Sequence, residues 1–296
     1  MHLVFDFDGT ITLQDTIGEL VGSAIALQRQ RHGRHLQAVW EEAMRAYSAD
    51  YEAYRTQSGR PAAAEAPTAG QEDEEEERER RFLAGLKEVE EASLDRVGRS
   101  GIFAGLDAER LSGMGAEAVA QGRVIVRDGL ADMLGLASRR GWRTDVLSVN
   151  WSAAFIRGVL GAYPPTGGVT ANEISAGDGL IGGPGGGLIA RITTAPDKLA
   201  ALRRLVRGDD TVVYFGDSTT DLECLLYDEG VAVVAAGARD DSRLVRTLRR
   251  LGHGVPHVAE RQPGAAGISW ASSFREVLDS GLLEREDDRG GAAAAR

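Results

Sequence analysis

Residues 3–7, Leu-Val-Phe-Asp-Phe, form a short apolar run of strand length. After it, residues 13–30 place Leu13, Ile17, Leu20, Val21, Ala24, Ile25 and Leu27 at helical spacing. Residues 37–55 repeat that pattern with Val39, Trp40, Met44, Tyr47, Tyr51 and Tyr54. The next stretch, 57–80, holds Pro61, Pro67, three consecutive alanines and an acidic run, which offers little apolar surface to bury. Residues 57–76 are therefore expected to be a flexible loop whose acidic end starts the next helix. Helical periodicity resumes over 81–98 with Phe82, Leu86, Val89 and Leu94, and continues to residue 122.

From residue 124 the pattern becomes an alternation. It predicts a helix at 129–139, a strand at 144–149, a helix at 151–162 and a strand at 167–174. A helix at 196–206, a strand at 211–216, a helix at 219–227 and a strand at 230–234 follow, then helices at 241–251 and 270–281. Such alternation implies an α/β core in three layers, a parallel sheet with helices on both faces. The expected division is a core of residues 1–12 and 124–283, an inserted helical cap of 13–123, and a disordered tail of 284–296.

Candidate chemistry gathers where strands end. In Asp6-Phe7-Asp8-Gly9-Thr10 the two carboxylates stand at strand spacing and project to one side, and Gly9 permits a sharp turn. Thr10 and the following amides offer hydrogen bonds to an anion. Val146-Leu147-Ser148-Val149-Asn150 ends a second apolar run with a hydroxyl. Pro196-Asp197-Lys198 opens an amphipathic helix with a cation in its first turn. Val212 to Asp221 is a strand running into Asp217, a turn and Asp221. In open parallel sheets ligands sit outside the carboxyl ends of the strands, so these segments point to one shared site.

This ordered set resembles the four motifs of the haloacid dehalogenase-like (HAD) phosphohydrolase superfamily, and Ala171-Asn172 before a glycine-rich hairpin is similar to its phosphoserine-phosphatase-like branch. The resemblance implies a Rossmann-like core with an inserted helical cap. It implies Mg2+-dependent hydrolysis of a small phosphomonoester through an aspartyl-phosphate. Asp6 would be the nucleophile and Asp8 the acid and base, with Ser148 donating to a phosphoryl oxygen and Lys198 offsetting charge. Asp6, the Asp8 carbonyl and Asp217 would hold the metal, with Asp221 behind them. Gly9, Thr10, Asp15, Asn150 and Asn172 are the implied substrate-side residues, Asp15 being placed to select a cationic or amino group. Leu147 to Ser152, Phe155-Ile156-Arg157, Ala171-Asn172-Glu173 and Gly216 to Leu226 are also similar to the HAD domain of plant thiamine-monophosphate phosphatases and related fungal proteins. Thiamine monophosphate, or another cationic phosphate, is the substrate that this likeness suggests. Asp8 disfavours a dehalogenase. A phosphotransferase, and a non-catalytic or regulatory interaction protein on the same scaffold, stand as alternatives.

Charge and cysteine content narrow the class further. The formal net charge is −11, and residues 72–81 hold seven acids against three arginines. Without that run the charge is still about −7, which argues against nucleic acid as a partner. No apolar run approaches the roughly 18–20 residues that span a bilayer, so no membrane association is expected. The strand at the start leaves no room for a signal peptide, and the single cysteine excludes an intramolecular disulfide. A cytoplasmic location and a small phosphorylated metabolite as partner are the expectations; the oligomeric state is left open. Cys224 is read as core, and His32, His35, His253 and His257 as surface or loop residues. Glycines 182–187 are read as a loop, not a dinucleotide fingerprint. Trp40, Tyr47, Tyr51 and Tyr54 are read as helix-packing aromatics, with a cap pocket as the alternative.

Overall fold

The computed structural model describes residues 1–59, 72–208, 210–233, 242–261 and 267–287. Six parallel strands form the central sheet: β1 (His2–Phe5), β2 (Arg143–Leu147), β3 (Gly168–Thr170), β6 (Val212–Gly216), β7 (Glu229–Val233) and β8 (Ile268–Ala271). Their spatial order is β3-β2-β1-β6-β7-β8. β1 pairs with β2 on one side and β6 on the other, so the strand order reverses beside it. A crevice opens at such a reversal, beyond the carboxyl ends of the central strands. β1 is buried along its whole length, as expected for a central strand covered on both faces. A separate hairpin pairs β4 (Glu173–Ile174) with β5 (Ile181–Gly182).

Among the described residues, five helices lie between the turn after β1 and residue 124: α1 (Ile17–His32), α2 (Gln37–Gln57), α3 (Glu72–Gly85), α4 (Lys87–Gly98) and α5 (Ala108–Ala120). The two chain passages that join them to the sheet run side by side. Thr12 bridges Val126 in antiparallel fashion, and the Leu13 N–H donates to the Ile125 carbonyl at 2.9 Å. Around the sheet lie α6 (Leu130–Arg140), α7 (Ala153–Leu160), α8 (Ala195–Leu205), α9 (Leu222–Leu225), α10 (Arg243–Arg250) and α11 (Phe274–Asp279). α5 crosses α7 at two glycines. A Cβ on Gly158 would sit 1.9 Å from the Ser112 carbonyl oxygen, and one on Gly115 would sit 2.3 Å from that of Phe155.

Several expectations need correction. Residues 270–281 are not one helix: Ile268–Ala271 extends the sheet beside β7, and Ser273 caps a shorter helix by accepting the Glu276 N–H at 3.2 Å. The strand expected over 167–174 breaks after Thr170, because the Asn172 side chain is drawn into loop contacts. The stretch 219–227 is a tight turn followed by the short α9. Of the loop expected over 57–76, residues 60–71 lie outside the described residues, whereas Glu72–Glu76 already belong to α3. That acidic helix docks instead of remaining solvated. Glu75 and Glu79, one turn apart on one face, both meet Arg250 of α10, with Arg250 to Glu79 at 2.6 Å. The tail beyond 287 is likewise outside the described residues, but Glu284–Asp287 are helical and Trp142 Nε1 donates to Asp287 at 3.0 Å.

Candidate active site

The chain turns immediately after β1. Asp6 is extended (φ −66°, ψ 165°), and its N–H donates to the Phe215 carbonyl at 2.8 Å, which ties it to β6. Phe7–Ile11 form one wide turn in which Gly9 has φ 74°. A Cβ at Gly9 would lie 2.1 Å from Asp217 Oδ2, so both conformation and close approach require glycine. Thr10 Oγ1 donates to Asp217 Oδ1 at 3.4 Å, joining the first turn to the end of β6.

Asp8 is held by three donors. Its Oδ1 accepts from the Thr16 N–H at 2.8 Å and the Thr16 hydroxyl at 2.6 Å, and its Oδ2 accepts from Asn150 Nδ2 at 2.7 Å. Burial and the charge of Asp15 outweigh these bonds and push the Asp8 carboxyl up to about 6.

Asp221 organises the other side. Its Oδ2 accepts from the N–H groups of Asp217 and Ser218 at 3.2 and 3.1 Å, closing the turn after β6. Its Oδ1 accepts from Lys198 Nζ at 2.5 Å and the Tyr214 hydroxyl at 2.7 Å. Lys198 also donates to Asp6 Oδ1 at 2.5 Å. The start of α8 fixes this lysine: Asp197 Oδ2 accepts from the Thr194 N–H at 3.1 Å and its hydroxyl at 2.9 Å, and Pro196 suits the first turn. Lys198 is fully buried. Burial alone would lower its pKa, but Asp221 and Asp6 outweigh that and raise it, so it stays charged.

Asp6, Asp217 and Asp221 have ligand oxygens within 4.8 Å of one another. Burial, then the neighbouring carboxylates, raise Asp6 above the usual carboxylate range and push Asp217 up to about 7. Lys198 lowers both but does not balance three acids. An all-oxygen donor set with excess negative charge fits a hard divalent cation. Above it lies a cavity of about 590 Å³ lined by Asp6, Asp8 and Asp217 at the turn end, and by Trp40, Tyr47 and Trp151 among its apolar walls.

The sequence matches the family model described as haloacid dehalogenase-like hydrolase over residues 3–226. The chain belongs to that family. No curated protein matches it by sequence. Among solved structures, HAD-family and other phosphohydrolase chains align along most of its length. Cytosolic 5'-nucleotidase IIIB bound to cytidine shares 14% identity over 99% of this chain and 87% of that one, with a TM-score of 0.54. A substrate-bound phosphoserine phosphatase shares 17% over 94% and 96%, with a TM-score of 0.48. A phosphoserine phosphohydrolase-like protein from Francisella tularensis subsp. tularensis SCHU S4 shares 12% over 94% and 98%, with a TM-score of 0.49. At 14% identity the likeness to the nucleotidase is one of fold.

Within this HAD hydrolase, the residues singled out in sequence divide into two groups. Asp6, Asp8, Gly9, Asp15, Asn150 and Asp217 line the cavity, and Lys198 and Asp221 lie directly beneath Asp6. Ser148 is fully buried at the end of β2, where its hydroxyl accepts the Asn150 N–H at 3.0 Å. Asn150 reaches the cavity, but its amide is spent on Asp8 and on Thr16 at 3.2 Å, so it positions Asp8. Thr10 is buried with its hydroxyl turned to Asp217. Asn172 needs the largest correction. Its Nδ2 donates to the carbonyls of Val149 and Ile192 at 3.0 and 2.9 Å, and its Oδ1 accepts the Ile192 N–H at 2.9 Å. Fully buried, it staples two loops and does not line the cavity.

Trp40 and Tyr47 line the cavity as well as packing, Trp40 edge-on to Trp151 and Tyr47 beside Tyr51; Tyr54 only packs, donating to the Phe82 carbonyl at 2.9 Å. Three residues escaped sequence reading. Arg127 donates to the carbonyls of Gly9, Thr10 (2.7 Å) and Ser272 (2.8 Å), clamping the turn after β1 to the loop after β8. It stands in a linker with no motif around it. Thr16 stands just before α1 and Tyr214 inside β6, positions with no motif of their own. Tyr214 sits two residues before Gly216 on the alternating register of β6, the one signal that placed it on a common face with the strand end.

Proposed function

We propose that this chain hydrolyses a small phosphomonoester through a covalent phosphate on Asp6. The observation that carries the reading is Asp6 itself, a buried carboxylate paired with Lys198 and opening, beside Asp8, onto the cavity. An Asp6 oxygen attacks phosphorus and the ester P–O bond breaks, while Asp8 gives its proton to the departing oxygen. Asp8 then takes a proton from water as that water attacks phosphorus. The P–O bond to Asp6 breaks, phosphate leaves and the carboxylate is restored. A pKa near 6 lets Asp8 serve in both directions around neutral pH.

Asp6, Asp217 and the backbone carbonyl of Asp8 are the groups that would hold Mg2+, which when bound supplies the positive charge an anionic carboxylate and phosphate need to approach each other. Lys198 contributes a fixed cation from below, and Asp221 fixes Lys198. Ser148 supplies a hydroxyl proton at the end of β2. The helices α1 to α5 act as a cap, moving about the paired passages at Thr12 and Val126 to exclude water during turnover. The resemblance to plant thiamine-monophosphate phosphatases, with Asp15 on the cavity, supports thiamine monophosphate or another cationic phosphate as substrate.

Phosphate release from a panel of phosphomonoesters, with Mg2+ and with chelator, tests the reading. Metal-dependent release that Asp6→Asn abolishes is the expected result. Release unchanged in Asp6→Asn, or absent from every ester with correctly folded protein, overturns it.

A further inference from the structure

α2 and α4 bring Trp40, Tyr47 and Glu90 to the cavity, and Trp151 joins them from the loop after β2. Among the described residues that line it, none is lysine, arginine or histidine. Glu90 is half-buried and accepts the Tyr47 hydroxyl at 2.9 Å. Among the described residues it has no ion-pair partner. Its neighbour Glu91 shows the contrast, meeting Lys87 at 3.1 Å and Arg191 at 2.6 Å. Burial raises the Glu90 carboxyl above its usual range, against the effect of the Tyr47 bond. The chain thus desolvates a carboxylate in a cavity that two indole rings also line, and gives it no ion-pair partner among the described residues. Carboxylates and aromatic faces both attract organic cations, most strongly where water is excluded.

We propose that Glu90, oriented by Tyr47 in a cavity walled by Trp40 and Trp151, is a specificity-determining residue that holds a permanently charged organic cation on the alcohol portion of the substrate. The inference rests on the phosphomonoesterase reading and assigns the selectivity of that same site. Asp15 is less suited to this role. It is exposed, and its Oδ1 already accepts the Ile17 N–H at 2.8 Å.

The test compares phosphocholine with 3,3-dimethylbutyl phosphate, which replaces the quaternary nitrogen by carbon at nearly constant shape. kcat and KM are measured for the unmodified protein, Glu90→Gln and Tyr47→Phe. The unmodified protein is expected to prefer phosphocholine by roughly tenfold in kcat/KM. Glu90→Gln, which keeps an acceptor for Tyr47, should abolish the preference through KM while leaving the uncharged ester unaffected. Tyr47→Phe should weaken it in part. No preference in the unmodified protein, or an equal loss on both esters in Glu90→Gln, overturns the inference. Calorimetric titration with choline and 3,3-dimethylbutanol separates it from the parent reading. If no ester of the wider panel is hydrolysed either, the phosphatase reading fails. Choline binding that Glu90→Gln removes would then still support the cation site, and equal binding of the two alcohols would sink it.

Discussion

Lys198 Nζ lies 2.5 Å from Asp6 Oδ1, a salt bridge with almost no exposure on either side chain. The same nitrogen meets Asp221 at 2.5 Å, so one cation serves two buried acids. Removing one partner of such a pair leaves charge stranded in a medium that solvates it poorly, which costs about 3–5 kcal/mol. Lys198→Met is therefore expected to lose stability on that scale in urea unfolding, together with most phosphate release. Asp6→Asn should keep far more stability, because the lysine retains Asp221. Equal stability losses in the two variants would contradict this assignment.

The pH dependence of stability has a definite sign. Burial, with repulsion from neighbouring carboxylates (Asp221 for Asp6 and Asp217, Asp15 for Asp8), raises Asp6, sets Asp8 at about 6 and sets Asp217 at about 7. A carboxyl whose folded pKa is raised binds protons in the folded state that the unfolded chain has already released. Its contribution is full below the unfolded pKa near 4 and falls away as pH rises through the folded value. The Tm of metal-stripped protein should therefore fall between about pH 5 and about pH 8. Asp217→Asn should flatten that slope, and added Mg2+ should stabilise most at the alkaline end. A Tm that rises over this window in the stripped protein would show that the three acids are not held as described.

The motif aspartates were legible in sequence because their chemistry is local. Two carboxylates beside a glycine at the end of an apolar strand mean a turn, and that turn, which starts right after Phe5, brings both to the cavity. The sheet was legible for a similar reason, through its strand-helix alternation. What escaped depends on long-range closure. Arg127 is a cation in a linker until the fold brings the carbonyls of Gly9 and Ser272 to it. Glu79 belongs to an acidic run until α10 presents Arg250. Asn172 carries a side chain equally suited to ligand or backbone, and only the nearness of Ile192 decides which. β8 was misread as helix because Ile268-Ser-Trp-Ala is short, and its strand character comes from pairing with β7.

Gly9 and Asp217 supply a test of the turn. Alanine at Gly9 meets an unfavourable backbone conformation, worth about 1 kcal/mol, and its Cβ collides with the Asp217 carboxylate. The side chain at 217 can rotate away, so the larger effect falls on the cation site. Gly9→Ala is expected to weaken Mg2+ binding in calorimetry by more than tenfold, with only a modest drop in Tm. Unchanged affinity would remove Asp217 from the metal site.

Arg127 should act on geometry more than on charge. Its guanidinium spans three carbonyls from two loops, a pattern that a lysine ammonium on a single stem does not reproduce. Arg127→Lys is expected to lose about 1–3 kcal/mol, the penalty of leaving buried acceptors unpaired. It should also lower kcat while leaving KM nearly unchanged, because the turn that carries Asp6 and Asp8 loosens and the cavity walls do not. A KM effect of equal size would place Arg127 in substrate binding instead.

The crossing of α5 and α7 decides whether a glycine is there for packing or by chance. Gly113 and Gly158 both sit inside helices, where alanine is intrinsically better by about 0.8–1 kcal/mol. A Cβ at Gly113 meets nothing within 4 Å, so Gly113→Ala should raise stability by that helix-propensity gain. At Gly158 the same methyl would stand 1.9 Å from the Ser112 carbonyl oxygen, a backbone atom that cannot rotate aside. The helices would have to part, and overpacking of this kind costs about 1–3 kcal/mol or more, which exceeds the propensity gain. Gly158→Ala should therefore be destabilising in chemical denaturation while Gly113→Ala is stabilising. If both variants moved the midpoint the same way, propensity alone would govern these positions, and the tight seam joining α5 to the sheet would have no energetic weight.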